Sequence, residues 1–214
     1  MNKLDSGDNL DILLSEEIRA VGNFLQYYET DLQFIRNFHL FLRAELDVER
    51  FISKNEGTFY SFLIDYRIIR NIEKGNARKL LTLTKDWCSD SDANDVDNFA
   101  KYLKSKGITR DATMTSLASK VLFLNNPWEI LPMDALTRRA LGQTNNQYAD
   151  YKHRVERFRK EQANLINVHS SRLEPYLRDI EKRVKGDLKR IILIRKNRIA
   201  DKLLWVKVQR KYNL

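Results

Sequence analysis

Two residues carry most of the chemistry this sequence offers. Lys120 stands in an otherwise apolar run, Leu117-Ala-Ser-Lys120-Val-Leu-Phe-Leu124, and Asp134 closes the proline-marked stretch Pro127-Trp-Glu-Ile-Leu-Pro132-Met-Asp134. An amine in apolar surroundings loses part of its charge and becomes a nucleophile toward a sugar or carbonyl carbon. A fixed, ionised carboxylate stabilises positive charge that develops beside it. Each residue also has a plainer use. Asp134 can do no more than cap a helix, and Lys120 can lay its stem along the core and keep its ammonium in water.

The elements around the pair follow from local rules. Pro132 cannot continue a preceding helix and pushes Leu131 toward extended backbone, so Asp134 falls at the N-cap of a helix running through Ala135-Leu-Thr-Arg-Arg-Ala-Leu141. There the positive end of the helix keeps a carboxylate ionised. Upstream, Gly107 marks a turn between a helix over residues 99–106 and the helix that carries Lys120. Thr109, Thr113 and Thr115 could present hydroxyls to a phosphate at the start of that helix, or simply decorate it. Phe123, Trp128 and Trp205 are candidate aromatic walls of a pocket, although aromatic residues at helical spacing more often fill a core.

The remaining chain also reads as helices. Seven Gly, three Pro and few alternating Val/Ile/Thr runs predict an all-α protein of long helices and short loops. Residues 10–20 and 24–52 read as two helices or one broken helix, with a turn at Asn55-Glu-Gly57 and further helices over 58–71 and 77–87. Residues 89–98 form an acidic loop, with Asp90, Asp92 and Asn94 at alternate positions. Asp95 stands where a calcium loop needs glycine and Lys101 where it needs its closing glutamate, so no metal is expected. The division predicted is 1–95 and 96–214.

Charge is concentrated in the last third. Residues 151–214 hold 19 Lys/Arg against 7 Asp/Glu, within a formal net charge of +9 for all 214 residues. Ile180, Val184, Leu188, Ile191, Ile192, Ile199, Leu203 and Val206 recur at helical spacing, with Lys189, Arg190, Arg195 and Arg198 among the basic residues between them. A long basic helix of this kind suits a phosphate backbone; a solvated face, an acidic protein partner or a membrane surface are the competing uses. Arg138 and Arg139, after Asp134, are further candidates for phosphate contacts.

Several functions lack support. Cys88 is the only cysteine and has no histidine near it in sequence, while His39, His153 and His169 show no metal-ligand spacing. No glycine-rich phosphate loop or nucleophile elbow is present, and no cofactor is implied. The polar first residues and the absence of a long apolar run lead to the expectation of a cytoplasmic protein without a membrane partner.

Three segments carry a family resemblance: residues 113–142, Tyr148-Ala-Asp-Tyr-Lys-His-Arg-Val-Glu-Arg-Phe158, and Arg198-Ile-Ala-Asp-Lys-Leu-Leu-Trp205. Together they resemble bacterial proteins described as having an 8-oxoguanine DNA glycosylase fold, which are similar in turn to the helix-hairpin-helix DNA glycosylases. The likeness covers about the carboxy-terminal half. In that superfamily a Pro-x-Asp element supplies the catalytic aspartate, matched here by Pro132-Met-Asp134. Bifunctional members place a lysine at the start of the second hairpin helix, a position that falls near Met114 or Thr115, so Lys120 lies more than one turn beyond it. The family's Leu-Pro-Gly-x-Gly hairpin loop is represented only by Gly107. The resemblance implies a duplex-DNA-binding protein that excises a damaged or modified base, with Asp134 as electrostatic centre and with Phe123, Trp128 and Trp205 as candidate walls for the flipped base; Lys120, outside the family's lysine position, is the chain's own candidate nucleophile. A non-catalytic DNA-binding protein of the same fold and a helical interaction module with a basic face are the alternatives.

Overall fold

The computed structural model describes residues 6–73, 75–89, 93–109, 112–186 and 188–212, with side chains described from 14 to 207. It is all-α, with no strand among the described residues. Asp90 and Asp92, which entered the sequence reading of the acidic loop, lie outside them.

Helix α1, Ser6–Leu42, is continuous, so the region expected as two helices or one broken helix is a single unbroken one. Phe24, Tyr28, Leu32, Ile35 and Phe38, recurring every three or four residues, form its buried stripe. Gly22 costs this helix about 1 kcal/mol relative to alanine without breaking it. The chain leaves α1 through Ala44, whose φ is 61°, and Asp47 caps the short α2, Val48–Phe51. A helix expected to reach residue 52 is therefore cut at this corner.

Thr58 caps α3, Phe59–Asp65, in a reciprocal pair with Ser61. The helix expected to run to residue 71 ends early, because Arg67 turns into the left-handed region at φ 55° and only a 3-10 turn, Ile69–Asn71, follows. Next come α4, Ala77–Cys88, and α5, Val96–Ser105. Asp95 caps α5 by accepting from the Asn98 amide at 2.9 Å, which starts the helix three residues before the position expected.

The second half of the chain comprises α6, Thr115–Asn125; α7, Ala135–Ala140; α8, Tyr148–Glu161; α9, Ala163–Val184; and α10, Ile191–Tyr212. The basic segment read as one helix over 180–206 is broken between α9 and α10, where Arg190 has φ 56°. Helix α10 packs on α1, α7 and α9, while α6 packs on α1, α4 and α5. The buried apolar side chains form one cluster from Phe24 to Leu204, continuous across residue 95.

The expected phosphate-binding face of α10 is corrected by its burial. Arg195 is 2% exposed and donates from Nε to Glu181 Oε1 at 2.8 Å and from NH1 to the Ser170 carbonyl at 2.9 Å, both on α9. Glu181 also accepts from the Tyr28 hydroxyl of α1 at 2.8 Å. A buried charge is stable only with such partners, so Arg195 joins three helices and has no surface to offer DNA.

Candidate active site

The loop that delivers Asp134 is held at almost every residue. Leu131 gives its amide to the Tyr148 hydroxyl at 3.0 Å, and the Pro132 carbonyl accepts from the Tyr151 hydroxyl at 3.1 Å; both tyrosines belong to α8. Helix α6 holds the next residue, since the Met133 amide donates to Ser119 Oγ at 2.9 Å and its carbonyl accepts from Ser116 Oγ at 2.7 Å. From the other side, buried Asn197 of α10 donates to the Pro127 carbonyl at 3.0 Å. Such pinning fixes a carboxylate with little freedom left to lose on reaction.

Asp134 then caps α7. Its Oδ1 accepts from the Thr137 amide at 2.7 Å, and its own amide donates to Thr137 Oγ1 at 3.1 Å. Oδ2 makes no hydrogen bond among the described residues. Capping thus occupies Oδ1, and Asp134 lines a cleft of about 300 Å³ together with Lys120, Tyr66, Arg198, Lys202 and Trp205 among others.

Lys120 lies on the same cleft, one residue after Ser119 on α6. Its Nζ donates to the Tyr66 carbonyl at 2.9 Å, at the corner where α3 ends. Burial holds its pKa below the ordinary lysine value, helped by the nearby charges of Arg70 and Arg67; Asp134 and Asp201 pull the other way. The amine is therefore easier to deprotonate than a surface lysine.

Beneath the two residues is a buried ionic floor. Arg198 donates to Asp31 Oδ2 from Nε at 2.8 Å and to Asp201 Oδ2 from NH1 at 3.0 Å, while Tyr66 gives its hydroxyl to Asp31 Oδ1 at 2.6 Å. The guanidinium also lies 5.1 Å from the Phe123 ring centroid. No protein-family model, curated protein or solved structure matches the chain.

The sequence candidates separate accordingly. Lys120, Asp134 and Trp205 share the cleft, with Trp205 half-buried in its wall. Arg198 is also on the cleft, 3% exposed and saturated by carboxylates, which corrects its assignment to DNA phosphates. Phe123 is core, buried by the packing of α6, and Trp128 lines a different pocket with Tyr148 and Lys152; neither is a wall of this cleft. Thr115 is 2% exposed and cannot present its hydroxyl to a duplex, whereas Thr113 is exposed. Arg138 donates to the Asn145 carbonyl at 2.7 Å, and Arg139 is exposed on the same helix. Lys189 and Arg190 are exposed between α9 and α10, with the Arg190 guanidinium 5.8 Å from the Trp128 ring centroid.

Three further cleft residues escaped the sequence reading. Asp31 interrupts the apolar stripe of α1 between Tyr28 and Leu32, and a carboxylate in such a stripe signals a buried partner. Tyr66 gave no comparable signal. Lys202 shares a helical face with Arg198, Asp201 and Trp205, at spacings of three or four residues. Among the described residues no cluster of three His, Cys, Asp or Glu could hold a metal ion, and no helix is long and apolar enough to cross a membrane.

The arrangement has a definite chemical capacity. A half-buried amine, a fixed carboxylate oxygen and an aromatic wall can convert a carbonyl carbon into an imine and stabilise the cation formed on the way.

Proposed function

We propose that this chain binds duplex DNA and excises a damaged or modified base, in the manner of the helix-hairpin-helix glycosylases it resembles. The flipped nucleotide enters the cleft, Asp134 stabilises positive charge as the glycosidic bond breaks, and Lys120 attacks C1′ of the sugar. One observation carries this reading: Lys120 and Asp134, fourteen residues apart, line one cleft, and burial weakens the lysine's hold on its proton. Helices α5 and α6 also pack as consecutive neighbours, in keeping with a hairpin, and Arg67 on the cleft wall is exposed where a phosphate would pass.

Borohydride reduction tests it. The full chain, incubated with duplexes carrying an abasic site or single modified bases, gives a covalent protein–DNA adduct, and Lys120→Ala loses it. A second reading is favoured by the hydrogen bond from Lys120 to the Tyr66 carbonyl, which ties α6 to the end of α3. Under that reading the protein binds DNA without catalysis: duplex affinity falls with salt, no adduct forms on any substrate, and Lys120→Ala lowers stability alone.

A further inference from the structure

The cleft contains a second amine. Lys202 is on α10, one residue after Asp201 and one turn after Arg198, and it lines the same wall as Lys120 and Asp134. Its side chain is 16% exposed. The Nζ is 3.8 Å from Asp201 Oδ2, beyond hydrogen-bond distance, and that oxygen already accepts from Arg198. Nζ also lies 5.0 Å from the Tyr27 ring centroid of α1. Among the described residues nothing accepts a hydrogen bond from it, whereas Lys120 is directed at the Tyr66 carbonyl.

We propose that Lys202 is the proton acceptor of this cleft, removing the C2′ proton of a deoxyribose held as an imine on Lys120 and so driving strand cleavage. The inference rests on the base-excision reading and assigns the step that follows it.

The chemistry balances. The neutral Lys120 amine adds to the C1′ aldehyde of a ring-opened abasic sugar, a proton is taken up from solvent and water leaves, giving an iminium ion; that proton returns to solvent at the final hydrolysis. Lys202, neutral, takes the C2′ proton, and the electron pair of that C–H bond forms a C1′–C2′ double bond and neutralises the nitrogen. The pair then returns, C2′–C3′ becomes the double bond, and the C3′–O bond breaks with the phosphate as leaving group. Water hydrolyses the conjugated iminium, restoring Lys120, and Lys202 passes its proton to solvent.

The surroundings of Lys202 suit a base better than those of the carboxylates do. A proton acceptor works best with a pKa near the operating pH, and the carboxylates of this cleft are already engaged, Asp31 and Asp201 by Arg198 and Asp134 by the Thr137 amide. Burial first, then the adjacent Arg198 charge, hold the Lys202 pKa below the usual lysine value, against the pull of Asp201 on its own helix, Asp31 on α1 and Asp134 before α7. Two amines of lowered pKa around the same carboxylates can divide the work, one bonding to carbon and the other moving a proton.

The test measures adduct and cleavage in one reaction, using the full chain and a duplex with a single aldehydic abasic site. Lys202→Gln and Lys202→Arg are expected still to form the borohydride-trapped adduct through Lys120 but to cleave the strand about 100-fold more slowly. Lys202→Arg keeps the cation, so it guards against loss of folding, and a guanidinium cannot act as the base at these pH values. Cleavage by Lys202→Arg within a few-fold of wild type overturns the proposal. So does loss of the adduct in both Lys202 variants with its retention in Lys120→Ala, which would make Lys202 the nucleophile. A wild-type chain that forms no adduct at all refutes the base-excision reading itself, and this inference with it.

Discussion

Arg198→Met separates the buried role of this arginine from the surface role its sequence suggests. The replacement keeps most of the stem and removes the cation between Asp31, whose side chain is 5% exposed, and Asp201, at 12%. Three short contacts are lost: Nε to Asp31 at 2.8 Å, NH2 to Asp31 at 2.7 Å and NH1 to Asp201 at 3.0 Å. Two carboxylates then remain buried without a cation between them, and removing one partner of a buried ion pair costs about 3–5 kcal/mol. With a urea slope near 3 kcal/mol/M, the unfolding midpoint should fall by roughly 1 to 1.7 M at unchanged slope. At about 2–4 °C per kcal/mol, the melting temperature should fall by roughly 6 to 20 °C. Adding Asp31→Asn removes one stranded charge and should recover about 1 kcal/mol or more, a coupling readable in a double-mutant cycle. A loss below about 1 kcal/mol would refute the reasoning, because that is the worth of a solvated pair. Unchanged stability, with a duplex-binding salt slope reduced by about one, would return Arg198 to the phosphate backbone.

Three other outcomes are expected. Asp134→Asn keeps an oxygen for the Thr137 amide and should melt close to wild type, while Asp134→Ala loses about 1 kcal/mol; base release should fall in both, and retention of base release in Asp134→Asn would remove the charge from the mechanism. Adduct formation through Lys120 requires the neutral amine, so its rate should rise with pH and level off through a pKa lowered by burial, which places the inflection below that of free lysine; cyanoborohydride trapping across a pH series reads it, and an inflection at the ordinary lysine value would count against a buried nucleophile. Arg67→Gly relieves a non-glycine residue at φ 55° and should raise stability by about 0.5–1 kcal/mol in urea titration, after allowing for the greater freedom of glycine when unfolded, while weakening duplex binding.

What was legible in the sequence depended on how local its cause was. Asp134 could be read because proline geometry and capping act within a few residues, and the structure has it as the N-cap of α7. Asp95 capping α5 obeys the same rule, although the start was expected three residues later. Arg195 and Arg198 misled because the acids that neutralise them are Glu181, fourteen residues away on another helix, and Asp31, 167 residues away on α1. A count of charge along the chain treats these arginines as surface, whereas pairing across helices makes them core. The same distance hid the cleft: Lys120 meets the Tyr66 carbonyl 54 residues away, a backbone atom that no residue-type pattern marks. The break between α9 and α10 was missed because the apolar spacing continues through residues 185–190, while Arg190 adopts a left-handed turn that lacks the usual glycine signal.

The pairing of α1 with α10 has a consequence for how the chain acquires reactivity. Cleft residues come from α1, the α3 corner, α6, α7 and α10, and the Asp31–Arg198 bond joins positions 167 residues apart. Contacts so distant in sequence close late, since most of the loop entropy is spent before they form. During synthesis Lys120 leaves the ribosome long before α10, and until that helix docks it has no wall from Lys202 or Trp205 beside it. The cleft is therefore complete only when α10 has closed against α1, bringing Arg198, Asp201, Lys202 and Trp205 to Lys120 and Asp134.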